Sequence, residues 1–302
     1  VSRGLGDVDK RQSPEQAPTP EAKHLAEQAQ LQADRNRAYY AKNRALHRSV
    51  VLRLTEQIRN CILVHQQPNA RIARSGALDP ERVWRAPLLN DSRVFRCAEE
   101  ENQPSFTVDL LLDASASRLH CQEVIAAQGT ILAQSLAACG IPVRVSSFCS
   151  LRGYTVLRVL KGFADKSLQG IGQYFASGWN RDGLALRAAG DLVSFDPGPA
   201  PRHLLILLTD ASPNDSRRVP PSPEQPLGCD YGGSYGVDDA AAEVRDLQRR
   251  GLRVSAVFMG EDSSSHDAER IYGKNLARIR GMDQLARAAG RLIQNEIREL
   301  GD

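Results

Sequence analysis

The stretch FTVDLLLDASAS, residues 106–117, joins an apolar run to one carboxylate and two hydroxyl groups. The run ends at Asp113, and Ser115 and Ser117 follow at alternate positions. An apolar run of this length predicts a buried strand, and the polar residues after it predict a loop. Three hard oxygen groups on one loop suit Mg²⁺, which prefers octahedral oxygen coordination and keeps several waters. The stretch therefore predicts a metal site at one edge of a sheet.

Strand-like and helix-like segments alternate from residue 105 to the end of the chain. We expect strands at 106–112, 142–149, 154–160, 203–209, 252–258 and 276–280. We expect helices at 121–139, 165–176, 182–193, 237–250 and 282–300, and a long proline-rich loop at 211–236. This pattern is typical of an α/β fold with a doubly wound, mainly parallel, Rossmann-like sheet. Such sheets bind ligands at the carboxyl ends of their strands, near the switch in strand order.

Two further loops are expected at the same edge of the sheet. One is the turn at 178–183, in which Asn180 stands three residues before a glycine. The other carries Asp210, which follows the apolar strand at 203–209. Taken singly, a strand-end aspartate is as easily a helix cap or a loop-orienting group. Together, the three loops would bring several oxygen donors to one edge.

The combination of D-x-S-x-S, a polar residue three positions before a glycine, and L-L-T-D resembles the metal-ion-dependent adhesion site of von Willebrand factor A (VWA) domains. The resemblance extends over residues 105–300. The family usually has threonine at the second-loop position, where this chain has Asn180. An amide oxygen can bind a hard cation, but it lacks the combined donor and acceptor behaviour of a hydroxyl. The resemblance implies an Mg²⁺ or Mn²⁺ ion held by Asp113, Ser115, Ser117, Asn180 and Asp210.

Within that family, the chain is most similar to a bacterial intracellular branch. This branch includes nitric oxide reductase activation proteins, CoxE-like proteins and the cobaltochelatase large accessory subunit. Such proteins commonly work beside MoxR-type AAA+ ATPases in assembling or activating metalloenzymes. The resemblance implies a chaperone-like protein-binding module with a MoxR-type ATPase and a metalloenzyme client as partners. It is carried by the segments 74–79, 147–150, 180–186, 210–215 and 271–274.

A site of this kind would bind its partner through the metal. A divalent cation held by neutral hydroxyls and two carboxylates keeps an open coordination position, which an Asp or Glu of the partner completes. Asp182 is a spare carboxylate beside the second loop, and we interpret it first as a helix-capping group. The residues expected on the partner-binding rim are Trp179, Asp182, Ser212, Asp215, Tyr231 and Tyr235.

Composition limits the class of protein. The chain has 302 residues, of which 41% are hydrophobic and 25% charged, so we expect a folded core. No apolar run reaches about 18 residues, so we expect no membrane span. The six cysteines form no C-x-x-C pair, which favours reduced thiols and a cytoplasmic location. The chain starts at Val1 without an initiator methionine, which leaves open that it is a piece of a longer protein.

Three regions are expected along the chain. They are a disordered linker at 1–20, a basic helical extension with a small appended unit at 21–104, and a VWA domain at 105–302. The segment 22–74 carries ten Lys and Arg residues against three acidic residues. A basic segment of this kind either contacts an acidic surface, such as that of an AAA+ partner, or is a solvated helix face.

Two other functions remain open. The first is an Mg²⁺-dependent phosphohydrolase with Asp113 as nucleophile. Two residues further on stands Ser115 in place of a second carboxylate, and no Walker-type phosphate loop is present, so we expect that the chain is not an enzyme. The second is nucleic-acid binding through the basic helices, where Tyr39 and Tyr40 stand among the basic residues and could stack on bases.

Overall fold

The computed structural model describes residues 19–65, 70–98, 106–221 and 226–301. In chain order its strands are β1 (Ala70–Ala73), β2 (Ala77–Leu78), β3 (Phe95–Ala98), β4 (Phe106–Asp113), β5 (Val143–Leu151), β6 (Tyr154–Lys161), β7 (Arg202–Thr209), β8 (Asp215–Val219), β9 (Cys229–Tyr231), β10 (Arg253–Phe258) and β11 (Leu276–Arg278). Its helices are α1 (Pro20–Lys42), α2 (Arg44–His65), α3 (Arg85–Leu89), α4 (Gln122–Ala138), α5 (Asp182–Phe195), α6 (Gly233–Arg249), α7 (Ser265–Tyr272) and α8 (Met282–Gly301). None of these helices is both long and apolar enough to cross a membrane.

A six-stranded sheet in the order β11-β10-β7-β4-β5-β6 lies at the centre of the fold. All neighbouring strands are parallel except β6, which runs antiparallel to β5 at one edge. The chain moves from β4 outward to β5 and β6, then returns to the other side of β4 with β7. The order therefore switches between β4 and β7, so the loops after these two strands meet at the same edge. This confirms the predicted doubly wound α/β fold.

Both faces of β4 are buried by helices. Leu110 and Leu112 pack into a cluster with α2, α4 and α8, whereas Leu111 between them packs with α5, α6 and α7. Successive side chains of a strand point to opposite faces, so a strand that is covered on both sides reads as a continuous apolar run. Burial on both sides fixes the position of β4, and with it the position of the polar residues that follow.

The N-terminal helices pack directly on the sheet domain. Thr19 caps α1, as its hydroxyl accepts a hydrogen bond from the Ala22 amide at 3.2 Å. On α2, Leu54 and Ile58 are fully buried in the same cluster as β4 and α8. The Asn36 side chain of α1 donates to the backbone carbonyls of Gly172 and Tyr174, which precede the second loop. Helices α1 and α2, which belong to the predicted basic helical extension at 21–104, thus pack on the core of the sheet domain.

Several local predictions differ from the structure. The loop predicted at 211–236 contains the antiparallel pair β8 and β9, although its residues 222–225 lie outside the described ranges. The helix predicted at 165–176 is only a 3₁₀ turn, Gln169–Gln173, and α7 was not predicted because serines dominate its start. The sequence does not predict these elements because they are short or lie among prolines, so no periodic apolar pattern extends across them. The predicted linker at 1–20 lies outside the described residues except for its last two positions.

Candidate metal centre

The first loop begins at the buried end of β4. Asp113 is 0% exposed, and its Oδ1 accepts a hydrogen bond from the Ser115 amide at 2.9 Å. The backbone carbonyl of Asp113 accepts a hydrogen bond from the Tyr174 hydroxyl. The hydroxyls of Ser115 and Ser117 lie 2.9 Å apart. The loop is therefore tightly tied, and the two hydroxyls lie side by side.

The third loop brings a second carboxylate to these hydroxyls. Asp210 follows β7, the neighbour of β4, and its Oδ2 accepts a hydrogen bond from the Ser117 hydroxyl at 2.7 Å. Its Oδ1 accepts from the Ser212 amide at 3.2 Å. Four of the five predicted metal ligands therefore belong to one hydrogen-bonded network: Asp113, Ser115, Ser117 and Asp210.

The same network contains a cation that the sequence reasoning missed. Arg118 is 6% exposed, and its Nη2 forms an ion pair with Asp210. Its Nε donates to the Ser117 hydroxyl at 3.3 Å, and its Nη1 donates to the Met259 carbonyl at 3.4 Å. A basic residue directly after D-x-S-x-S was the available sequence signal. Arg118 thus provides a built-in positive charge next to the candidate ligands.

Asn180 of the second loop joins that loop to the third. Its backbone pairs with that of Asn214 through two hydrogen bonds, of 2.9 and 3.0 Å. Its side-chain oxygen accepts a further hydrogen bond from the Asn214 amide at 3.2 Å, and its buried Nδ2 has no hydrogen-bond partner. The Asn180 side-chain oxygen, which the sequence analysis assigns to the metal, therefore already accepts a hydrogen bond from a backbone amide.

Asp182 lies deeper in the protein than expected. It is the first residue of α5 and is 0% exposed, and neither of its side-chain oxygens has a hydrogen-bond partner. The cap position is Arg181, which makes no side-chain cap bond, so the predicted capping role of Asp182 is absent. Asp113 Oδ2 and the Tyr272 hydroxyl are among the other buried polar atoms that lack a hydrogen-bond partner.

Burial and the neighbouring carboxylates raise the pKa values of two acidic residues in this region. Burial, and then the charge of Asp210, raise the pKa of Asp113 to about 7. Burial and the charges of Asp113 and Asp210 raise the pKa of Asp182 well above its ordinary value. Arg118 forms the ion pair with Asp210 and only partly offsets these charges. The unpartnered Asp113 oxygen and the hydroxyl and carboxylate oxygens beside it fit a divalent cation held by hard oxygen ligands.

The site does not contain a cluster made only of the side chains that most often bind metals. Among the described residues, no group of three or more His, Cys, Asp or Glu side chains is arranged to hold a metal ion. The candidate site therefore depends on hydroxyl oxygens as well as carboxylates, as the resemblance to a metal-ion-dependent adhesion site implies.

The structure divides the predicted rim into exposed and buried residues. Trp179 is 43% exposed and Ser212 is exposed, while Tyr235 is half-buried. Three others, Asp182, Asp215 and Tyr231, are buried and do not lie on the rim.

Two of these buried residues, Asp215 and Tyr231, make contacts inside the protein that explain their burial. Asp215 forms an ion pair with Arg181, whose guanidinium lies 4.9 Å from the centre of the Tyr231 ring. The Tyr231 hydroxyl donates to Asp239 at 2.8 Å. These contacts hold the second loop from the interior of the protein. Asp215 and Tyr231 are therefore not on the surface rim where the sequence analysis placed them.

The tyrosines considered for base stacking are used in packing. Tyr39 and Tyr40 contact the ring of His47, at 5.9 and 4.7 Å between ring centres. The Tyr40 hydroxyl donates to Gln134 of α4 at 3.1 Å. Both rings lie partly buried against the core, which reduces the area that they offer to a nucleic acid.

No protein-family model matches the chain, and no curated protein matches it. Similar solved structures include the vWF domain of the type V pili tip protein Mfa5 from Porphyromonas gingivalis, with 11% identity, a TM-score of 0.46, and coverage of 66% of this chain and 97% of that one. Proximal thread matrix protein 1 from the mussel byssus has 16% identity, a TM-score of 0.45, and coverage of 63% and 47%.

A third similar structure is the manganese-loaded TRAP protein of Plasmodium vivax, with 15% identity, a TM-score of 0.43, and coverage of 63% of this chain and 74% of that one. All three similarities are distant. The functional case for this chain therefore rests on its own loops and side chains.

Proposed function

We propose that this chain is a metal-ion-dependent protein-binding module of the VWA type. The observation that carries the proposal is the hydrogen-bonded network of Asp113, Ser115, Ser117 and Asp210 at the switch in strand order. The buried Asp113 Oδ2 in this network has no partner. A buried carboxylate oxygen without a partner is costly, and an Mg²⁺ or Mn²⁺ ion would satisfy it.

The residues around the candidate site suit contact with another protein. Ser117 and Ser212 are exposed, so the network of the first and third loops reaches the surface. Trp179 exposes a large apolar ring beside them, and aromatic side chains are enriched where proteins bind tightly. A bound divalent cation would offer an open coordination position to a carboxylate of the partner. The protein's own residues would hold the cation and shape the surface around it.

The identity of the partners is a finer part of the proposal. We infer a MoxR-type AAA+ ATPase and a metalloenzyme client, supported by the resemblance of the loop segments to the bacterial intracellular branch. A cytoplasmic location is supported by the cysteines, since those whose side chains are described, Cys61, Cys121, Cys139, Cys149 and Cys229, are all free. The basic character of α1 and α2 would suit an acidic surface on the ATPase.

A non-enzymatic role is supported by the surroundings of Asp113. Its carboxylate is 0% exposed, and the position expected for an acid or base is occupied by Ser115, which donates its amide to Asp113. A nucleophile needs access to its substrate and a group that handles the proton. Asp113 lacks both this access and a neighbouring group of this kind, whereas the site does provide oxygen atoms that suit a metal ion.

The proposal is tested by pull-down from a native bacterial lysate in Mg²⁺ or EDTA. We expect wild-type protein to capture its partner only with Mg²⁺, and Asp113→Ala to lose capture because the unpartnered carboxylate oxygen is removed. Asp113→Asn is measured in parallel, since it keeps an acceptor for the Ser115 amide and loses the charge.

Asp246→Ala is the matched control for this experiment. Asp246 is half exposed on the last turn of α6, away from the strand ends that carry the site. Its loss should leave capture unchanged. Mg²⁺-dependent capture by a folded Asp113→Ala protein would contradict the proposal.

A further inference from the structure

Residues 70–98 form a small unit that has little hydrophobic core of its own. Its three strands pair in the order β1-β3-β2, and α3 follows β2 along the chain. Of its described side chains, only Asp79 and Val94 are buried. Val94 belongs to neither of the hydrophobic clusters that cover the central sheet. Within the described part of the chain, the unit therefore lacks the packing layer that a three-stranded sheet usually needs.

The same unit exposes several large apolar side chains. Leu88 is 73% exposed and Trp84 is 50% exposed. Single exposed apolar residues are ordinary, but a concentration of them marks a surface that another molecule covers. Six such residues lie within the segment 72–89 and form what we call the apolar surface: Ile72, Leu78, Val83, Trp84, Leu88 and Leu89.

Trp84 is held in a fixed position on the apolar surface. Its indole Nε1 donates to the Glu81 carbonyl at 2.8 Å, and the Arg85 guanidinium lies 5.7 Å from the centre of its ring. The Leu88 amide donates to the Trp84 carbonyl at 3.3 Å, so the two side chains lie one helical turn apart on the same side. An aromatic ring that is fixed before binding loses little freedom in a complex, so Trp84 and Leu88 suit the centre of an interface.

The unit carries an excess of positive charge. It contains six arginines and three acidic residues, which gives a net charge of +3. Two of the acids are already used inside it, since Asp79 pairs with Arg96 at 2.8 Å and Asp91 pairs with Arg93 at 3.3 Å. The excess of arginine therefore complements a molecule that carries carboxylates, and arginine is enriched in interfaces between proteins.

The unit is attached at the edge of the central sheet opposite the candidate metal centre. Helix α2, which precedes it, passes the end of α4, where Arg59 donates to the Ala138 carbonyl at 3.3 Å. Strand β5 starts shortly afterwards, at Val143, so this end of α4 lies at the amino ends of the strands. Strand β4 follows the unit and also starts at that edge. The eight residues of β4 separate the edge from Asp113 by about 23 Å, so binding to the unit needs no contact with the metal centre.

We propose that the apolar surface is a second docking site, which binds an acidic amphipathic helix of a partner protein. The apolar face of such a helix packs on Trp84 and Leu88, and its carboxylates face the arginines of the unit. This inference goes beyond the proposed function and does not rest on it, because it requires no cation.

Other ways of covering the apolar surface fit the structure less well. A symmetric dimer would place two units of net charge +3 against each other. The segments of the chain outside the described ranges contain only three large apolar residues, too few to cover the surface. Helix α3 has only five residues, a short face for insertion into a membrane. The Glu81 side chain beside Trp84 is 85% exposed, and an anionic lipid headgroup would repel it.

The probes are three synthetic peptides of about 18 residues, or five helical turns, labelled for fluorescence anisotropy. The first has leucines on one helical face and glutamates on the other. The second has lysines in place of the glutamates, and the third has the composition of the first in scrambled order. Each peptide is titrated with the whole chain in EDTA. We expect the first peptide to bind at least about tenfold more tightly than the other two, and added salt to weaken its binding.

Two variants test whether the apolar surface is where the first peptide binds. Leu88→Glu should weaken binding at least about tenfold, because it removes an apolar contact and adds a repelling charge. Trp84→Ala should weaken it by a similar factor, and it tests the same surface through a second residue. Leu52→Glu is the matched control, because Leu52 is an exposed leucine on α2, outside the unit. Its affinity for the peptide should equal that of the wild type, and circular dichroism checks that each variant is folded.

The inference is overturned if the three peptides bind equally well, or if folded Leu88→Glu and Trp84→Ala proteins bind the first peptide as tightly as the wild type. Two further measurements identify a different occupant. Sedimentation equilibrium that shows a dimer dissociated by Leu88→Glu, without peptide binding, would assign the surface to a second copy. Cosedimentation with vesicles of phosphatidylcholine and phosphatidylserine that Leu88→Glu abolishes, without peptide binding, would assign it to a membrane. Each of these results leaves the metal-dependent function standing, because every peptide titration is done in EDTA.

Discussion

The guanidinium of Arg118 is the internal partner of Asp210. Both side chains are largely buried, and Arg118 also donates to Ser117, so it contacts two of the candidate metal ligands. A cation and an arginine at one carboxylate compete when both approach the same oxygen. The hydrogen bonds of Ser117 and Arg118 converge on Asp210 Oδ2, which leaves little room for a third group there.

Replacing Arg118 by Ala should therefore have opposite effects on stability and on metal affinity. In EDTA we expect a loss of about 3–5 kcal/mol in the free energy of unfolding, because a buried carboxylate loses its ionic partner. Affinity for Mn²⁺ should rise about tenfold, since the competing charge is gone. Denaturant unfolding in EDTA and Mn²⁺ titration measure the two effects.

Arg280→Ala is the control for this prediction. Arg280 is exposed and pairs with the exposed Asp262, so its loss should change neither quantity. Weaker Mn²⁺ binding by Arg118→Ala would mean that Arg118 orients Asp210 for the metal and does not compete with it.

The second loop is an element whose position depends on one glycine. Gly178 has φ +69°, and a Cβ there would lie 2.4 Å from the Ser150 carbonyl oxygen. The next residue, Trp179, exchanges two backbone hydrogen bonds with Ser150, at 2.7 and 2.9 Å. The glycine thus lets the loop lie directly against the end of β5, which places Asn180 and Asp182 beside the first loop.

Gly178→Ala should lower the free energy of unfolding by about 3 kcal/mol. The left-handed conformation costs an L-residue about 1–2 kcal/mol, and the contact with backbone oxygen adds a comparable overpacking cost. Denaturant unfolding measures the loss. Gly140→Ala is the matched control, because Gly140 has φ +73° and nothing within 4 Å of its Cβ position. Equal losses in the two variants would show that the Ser150 contact contributes nothing.

The sequence predicted the elements that have strong apolar patterns. The strands that carry Asp113 and Asp210 are continuous apolar runs, and parallel strands bring their carboxyl ends to one edge, so both carboxylates were placed correctly. The pair β8 and β9 was missed because its short strands have no apolar alternation. Local pattern predicts an element only when burial imposes a period on it.

Individual roles within the site were harder to predict. Arg118 stands next to a recognised motif, but its partner Asp210 is 92 residues away. The surroundings of Asp182 include Asp239 of α6 and Tyr272 of α7, which come from far along the chain. Such roles arise from tertiary contacts, and residue spacing carries no information about them.

At the scale of the whole molecule, α2 links the N-terminal helices to the core. Leu54 is 0% exposed and packs in the cluster that also contains β4, α4 and α8. Gly290 of α8 lies so close to α2 that a Cβ there would stand 2.3 Å from the side-chain oxygen of Gln57. Because α2 shares its hydrophobic cluster with β4, α4 and α8, we expect the N-terminal helices to unfold together with the sheet in one cooperative transition.

Leu54→Ala should destabilise the whole protein by about 3 kcal/mol, because it leaves a cavity in this shared core. Leu52→Ala on the same helix is the control, and it should have an effect within about 0.5 kcal/mol because Leu52 is 59% exposed. Circular dichroism and tryptophan fluorescence during denaturation should give coincident transitions. A separate early transition in Leu54→Ala would indicate that the N-terminal helices are an independent unit.

The pairing of α2 with α8 also has a consequence during synthesis. The two helices are separated by more than 200 residues, although they lie in contact in the finished fold. At a translation rate of about 5–20 residues per second, the interval between the synthesis of α2 and that of α8 is roughly 10–40 s, and the apolar stripe of α2 lacks its partner during that time. On the ribosome, that stripe is an exposed hydrophobic surface that a general chaperone would cover until α8 has been synthesised.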